Sequence, residues 1–93
     1  MIIRKLSEIK GTEREVRAPN GNWISHRLIL EKDGLGFSLH DTTIFAATRT
    51  LIHYRHHVEA VYCIEGEGEI ELVEQGATIP IRAGTMYALN RHE

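Results

Sequence analysis

The stretch that decides the fold is His53–Glu71, "HYRHHVEAVYCIEGEGEIE". Three histidines and a glutamate crowd its start, and an apolar run and a Gly66-Glu67-Gly68 step follow. Side chains alternate faces along an extended chain. A strand starting at Glu59 therefore puts Glu59, Val61 and Cys63 on one face and Ala60, Tyr62 and Ile64 on the other. Beyond Glu59 both faces are apolar, which predicts a strand covered on both sides. A carboxylate opening such a strand needs a cation, a hydrogen-bond donor or water, because an unpaired buried charge is costly. The Gly-Glu-Gly step reads as a hairpin turn between "AVYCIE" and "EIELV". Ala83-Gly84 reads as a second such turn, between "TIPIR" and "TMYAL".

The flanking sequence has the same grammar. "WISHRLILE" is a strand that runs into the turn "KDGLG", and "GFSLHDTTIFAATRTLIHYR" holds two strands with a bend at Ala46–Ala47. Only "KLSEIK" has a helical character, with Leu6 and Ile9 on one side, and it is too short to stand alone. Short strands separated by turn residues, with no βαβ alternation, predict an all-β sandwich or barrel. No repeat, linker or low-complexity tract divides the chain, so a single domain over 1–93 is expected.

The totals narrow the partners. Eleven Lys and Arg against 13 Asp and Glu give a net charge of −2, and no basic cluster offsets it; nucleic acid is not an expected partner. One cysteine, Cys63, allows no internal disulfide and points to a reducing compartment, so the cytoplasm is expected. The opening "MIIRKLSEIKG" is too regularly charged for a secretory or membrane-spanning segment. A domain of this size buries a modest share of its surface and gains from pairing with a second copy.

Laid on the general cupin pattern of Gly, His-x-His, Glu and Gly, the opening stretch matches in part. Glu59, Gly66 and His53 fall on pattern positions, whereas Arg55 replaces the second histidine and Ala47 the first glycine. Arginine stays protonated and cannot bind a cation, so the usual two-histidine, one-carboxylate set is not formed here. The second cupin pattern, begun at Gly84, puts Asn90 at its proline, His92 at its second glycine, and its histidine at position 95, past Glu93.

The words themselves are more specific. "DGLGFSLHDTTIFAATRTLIHYRHHVEAVYCIEGEGEIE", "IRAGTMYALNRHE" and the opening "MIIRKLSEIKGTEREVRAPNGNWISHRLIL" together resemble the L-ectoine synthases over essentially the whole chain. The resemblance implies a cupin-type jelly-roll β-barrel, here missing its last strands, and a homodimer. It implies a hydro-lyase that closes N-γ-acetyl-L-2,4-diaminobutyrate into ectoine, a compatible solute of salt-stressed bacteria. It also implies iron (Fe2+) held by a Glu, a Tyr and a His. Glu59 and Tyr87 match the first two; the His belongs at position 95. Substrate-pocket positions carry over to Trp23, Arg27, His40 and Thr42, and supporting positions to Tyr54 and His57. No residue is assigned to proton transfer.

Taken alone, most of these residues have plainer readings. Tyr87 is a core strand tyrosine, Trp23 a core anchor, and Arg27 half of a surface ion pair. Thr42 and Thr43 are ordinary strand residues. His56 is solvated, and Cys63 packs in the interior. His92 faces away from Tyr87 if "YALNRH" is extended. Trp23 and Arg27 share a face in an extended segment, which suits a carboxylate clamp beside an indole. Two other readings stand beside the enzyme. One is a non-catalytic cupin-like module that binds small molecules or itself. The other is a different metal-dependent cupin using His53, His57 and Glu59, for which the intervening chain must curl.

Overall fold

The computed structural model describes residues 1–50 and 58–89. The chain falls into two units, Met1–Thr50 and Leu51–Glu93. Regular structure among the described residues is almost wholly strand, as expected, with one short α-helix, α1 (Leu6–Ile9), inside "KLSEIK".

The first unit is a three-stranded antiparallel sheet of β1 (Glu15–Arg17), β2 (Trp23–Ile29) and β3 (Leu39–Ile44), in that order. β1 and β2 are joined through "APNGN". Ala18 N donates to Trp23 O (2.9 Å), Gly21 N to Ala18 O (3.0 Å), and Asn22 N to the Asn20 side chain (3.0 Å). Gly21 sits at φ +76°, which L side chains rarely adopt. Between β2 and β3 the chain makes a 3-10 turn, Glu31–Asp33, that ends at Gly34 with φ +77°. α1 lies against β2 and carries Ile9, which is 5% exposed. β3 ends at Ile44, and the expected bend follows: Ala47 has φ +60°, the one positive value at a non-glycine among the described residues. No strand forms over the described residues 45–50; the rest of the second strand expected here lies outside the described residues.

The second unit corrects the hairpin reading. β4 (Glu59–Tyr62) pairs with β7 (Met86–Leu89), and β5 (Glu67–Leu72) pairs with β6 (Ala77–Arg82). The glycine steps at 66–68 and 83–84 therefore do not reverse the chain. They face each other across one long antiparallel ribbon whose reversal is the turn at 73–76, where Gln75 N donates to Leu72 O (3.2 Å). Between the pairs Tyr62–Met86 and Glu67–Arg82 one arm has the residues 63–66 and the other only 83–85. That mismatch of one residue is what a bulge does to a ladder. Gly66 at φ +85° and Gly84 at φ +92° take up the kink, bridged by Cys63 N to Thr85 O and Gly84 N to Cys63 O, both 2.9 Å.

Beyond the kink the ribbon alternates cleanly. Gly68, Ile70, Leu72, Ala77, Ile79 and Ile81 share one face, and Glu67, Glu69, Glu71, Thr78, Pro80 and Arg82 the other. Pro80 is tolerated because β6 has a single strand partner among the described residues. The expectation that β4 is covered on both sides fails in the chain by itself. Glu59, Val61 and Cys63 are half-buried, whereas Tyr62 is 62% exposed and Ile64 73%. Each arm of a two-stranded ribbon has only one face to turn inward. Among the described residues no large side chain is wholly buried.

Candidate functional site

The register of β2 against β3 pairs Trp23 with Ile44, Ser25 with Thr42, and Arg27 with His40. Directly opposed residues point to the same side of a sheet, so Trp23, Arg27, His40 and Thr42 line one face in two adjacent columns. Ser25 sits at the centre, 3% exposed, and accepts a hydrogen bond from the Thr42 hydroxyl (3.1 Å). Trp23 and Arg27 are half-buried; His40 and Thr42 are exposed on β3. The Arg27 Nε is buried and has no hydrogen-bond partner among the described residues. Partial burial and then the charge of Arg27 push the His40 imidazole below its ordinary value, so it is neutral at pH 7. This face offers an indole, one fixed cation, a hydroxyl pair and a neutral imidazole. That set suits a small ligand with a carboxylate and polar hydrogen-bonding groups.

The opposite face of the same sheet is structural. His26, 8% exposed, lies between Glu15 and Asp41 in the register, and its Nε2 is 3.9 Å from the Glu15 carboxylate. That carboxylate also accepts from the Gly11 amide and approaches Arg17 at 3.8 Å.

In the second unit, Glu59 opposes Leu89 and Val61 opposes Tyr87. Glu59 and Tyr87 are thus diagonal neighbours on the half-buried face of β4–β7, about 7 Å apart at Cβ by ladder geometry. Cys63 follows on the same face, its Sγ 3.3 Å from Glu65 O. The Tyr87 phenol is pushed above its ordinary value by partial burial first, then by the negative charge of Glu59, then by Cys63. A cation between Glu59 and Tyr87 would reverse the electrostatic part of that shift, since it favours the ionised form of both groups. A carboxylate and a phenol oxygen side by side are chemically apt for a divalent transition metal. Among the described residues there is no cluster of three or more His, Cys, Asp or Glu that forms a ready cage.

The residues singled out in the sequence thus fall into two groups. One face of β2–β3 gathers Trp23, Arg27, His40 and Thr42; one face of β4–β7 gathers Glu59 and Tyr87. Tyr54, His57, His53, His56 and His92 lie outside the described residues. Two features went unread. Ser25 stands midway in W-x-S-x-R, so its position in the row followed from parity alone. Asp33, read only as part of a turn, holds two arginines: Arg4 (3.0 Å to each carboxylate oxygen) and Arg14 (3.1 and 3.0 Å). Two arginines and one aspartate spread over "MIIRKL", "TEREVR" and "EKDG" carry no spacing signal.

Among the described residues no helix is long and apolar enough to cross a membrane. Comparison with known proteins then fixes the family. The family model described as ectoine synthase matches residues 1–93. The chain is 57% identical over 93 residues to an L-ectoine synthase of Desulfatibacillum aliphaticivorans, covering all of this chain and 72% of that protein. It is 54% identical to the L-ectoine synthase of Halomonas elongata, covering 68% of that protein. A crystal structure of ectoine synthase from P. lautus superposes with a TM-score of 0.91 at 58% identity, over 99% of this chain and 64% of that one. A match this close bears out the all-β, cupin-type jelly roll expected from the sequence. With the family model spanning its full length and relatives at this identity, the chain belongs to the ectoine synthase family.

Proposed function

We infer that this chain carries the cyclocondensation of N-γ-acetyl-L-2,4-diaminobutyrate to ectoine with loss of water. What supports the reading is the register: a carboxylate-binding row, Trp23, Ser25 and Arg27, stands directly beside Thr42 and His40. In the reaction the substrate's α-amine attacks the carbonyl carbon of its own acetamide, and the resulting carbinolamine loses water to give the cyclic amidine. The demand on the protein is mainly orientation, because the substrate must fold until amine meets carbonyl. Arg27 takes the substrate carboxylate in its planar fork. Trp23 supplies the wall against which the chain folds. Thr42, held by Ser25, orients the polar end. His40 stays neutral, so it adds no second positive charge beside Arg27 and leaves the α-amine unrepelled.

Glu59 and Tyr87 would hold the iron ion that the family resemblance implies, and Tyr54 and His57 would support the site. An ion held there would supply the Lewis acidity that an unactivated amide needs. The outward face of β4–β7 sets Ala60 and Tyr62 against Ala88 and Met86, with Tyr62 62% and Met86 58% exposed. That apolar surface suits a second copy of the chain, and we read the working form as a cytoplasmic homodimer.

The test is turnover of N-γ-acetyl-L-2,4-diaminobutyrate by the purified chain with ferrous iron and without oxygen. The expected result is ectoine formed in step with substrate loss. A folded, iron-loaded chain that makes none would instead support the non-catalytic cupin-like module.

A further inference from the structure

Asp33 lies outside every role assigned above, yet two guanidinium groups converge on its one carboxylate. Arg4 donates to it through both Nη atoms, and so does Arg14, while the Leu30 amide adds a fifth bond at 2.9 Å. The same two arginines reach the main chain of β2 at one place. Arg4 Nη1 donates to Leu28 O (2.8 Å), Arg14 Nη1 to Arg27 O (3.5 Å), and Arg27 N donates to Arg14 O (2.8 Å). This is where the β2–β3 ladder fails: the register shifts between Arg27 and Ile29, so Leu28 has no partner on β3. A bulge redirects the strand and the side chains beside it. With the ladder absent, the guanidinium groups hold the peptide groups that follow Arg27.

The Arg27 side chain itself is weakly tied, since its buried Nε has no hydrogen-bond partner among the described residues. Its direction is set by the main chain it grows from. We propose that Asp33 is a positioning residue for Arg27: by holding Arg4 and Arg14 on the carbonyls of Leu28 and Arg27, it fixes the angle at which the Arg27 guanidinium meets the substrate carboxylate. This rests on the reading of Arg27 as the substrate's carboxylate clamp. Fork-to-carboxylate pairing depends on angle, so a tilt of the bulge weakens binding without touching the reacting atoms.

The test is a double-mutant cycle of Asp33→Asn and Arg27→Ala in the full, iron-loaded chain, with kcat and KM measured separately. Asp33→Asn keeps the shape and removes the charge. It is expected to raise KM about tenfold while kcat stays within about threefold. In the Arg27→Ala background it is expected to raise KM no further, because the clamp it aims is gone. Asp33→Glu is expected to recover part of the loss. Arg14→Lys keeps the charge but not the fork, and serves as the second variant if Asp33→Asn does not fold. An unchanged KM, or an equal rise with and without Arg27, overturns the proposal. If the wild-type chain neither binds nor turns over substrate, the functional reading has failed, not this one. Positioning is then read from the Arg27 Nε–Hε cross-peak in an NMR spectrum. Asp33→Asn shifts or broadens that peak if Asp33 aims Arg27, and an unmoved peak contradicts it.

Discussion

In the three-stranded sheet, odd positions 23, 25 and 27 on β2 meet positions 44, 42 and 40 on β3, and residue parity sorts the side chains to their faces as far as Arg27, after which the register shifts. In the long ribbon the same rule holds within β4–β7 and within β5–β6 but breaks between them. Four residues on one arm, 63–66, oppose three on the other, 83–85. Two glycines at positive φ absorb the step. A row of side chains is therefore secure where pairing is uninterrupted. Where a kink intervenes, it needs a backbone device to aim it. Arg27 sits at the boundary: it belongs to the regular row, but the bulge begins directly after it, and the Arg4–Asp33–Arg14 cluster stands in for the ladder.

The two faces differ also in what they ask of chemistry, and the largest expected effect follows from that. If Glu59 and Tyr87 hold the metal as proposed, Glu59→Gln or Tyr87→Phe should lower turnover at least about 100-fold, with iron content falling in parallel. Loss of turnover with iron fully retained would separate those residues from the metal. Arg27→Ala should raise KM about thirtyfold, corresponding to about 2 kcal/mol for a charge-assisted hydrogen-bonded pair. Arg27→Lys should recover only part, because an ammonium lacks the planar fork. Full recovery by Lys would show that charge alone suffices on that face.

Stability changes sharpen the contrast at the kink. Ala at Gly84 or Gly66 meets no atom within 4 Å, so any loss comes from the left-handed backbone and not from crowding. Denaturant unfolding should register about 1–2 kcal/mol. Gly68→Ala, in an open strand position without positive φ, is the control and should be near neutral. Equal losses at all three would mean the kink is not what the glycines serve. Thr42→Val breaks the bond to Ser25 and should lower stability by about 1 kcal/mol.

The smallest effect is confined to acid. The bonds from Arg14, the Leu30 amide and Arg4 hold the Asp33 carboxyl well below its ordinary range. Its contribution is therefore complete above about pH 4, the unfolded carboxylate value, and fades as pH falls toward the lowered folded value. The difference in unfolding midpoint between wild type and Asp33→Asn should be greatest at neutral pH and shrink below about pH 4. A difference that stays constant with pH would show the charge to be irrelevant.

Much of this was legible in residue order. β-branched runs and turn residues marked the strands, and a spacing of four in an extended segment placed Trp23 with Arg27. Resemblance in long stretches pointed to Glu59 and Tyr87, whose adjacency the β4–β7 register then made physical. The pairing partners were not legible. Gly66-Glu67-Gly68 and Ala83-Gly84 have the composition of hairpin turns, but a glycine at positive φ serves a reversal and a bulge equally well. Only the arm across the ribbon decides which. The Asp33 cluster was invisible for a related reason: its members meet across the fold, with no periodicity to tie residues 4, 14 and 33.

The most direct test of the site is a ferrous-iron titration of the purified chain without oxygen, followed in the near ultraviolet where an ionised tyrosine absorbs. The Tyr87 phenol, pushed further above its ordinary value by partial burial and then by Glu59, is protonated in the free chain. Binding at Glu59 and Tyr87 should therefore release one phenol proton per metal bound, with a matching rise in phenolate absorbance that Tyr87→Phe abolishes. Iron bound with no phenolate signal, or the same signal in Tyr87→Phe, would contradict the account and move the metal away from the β4–β7 face.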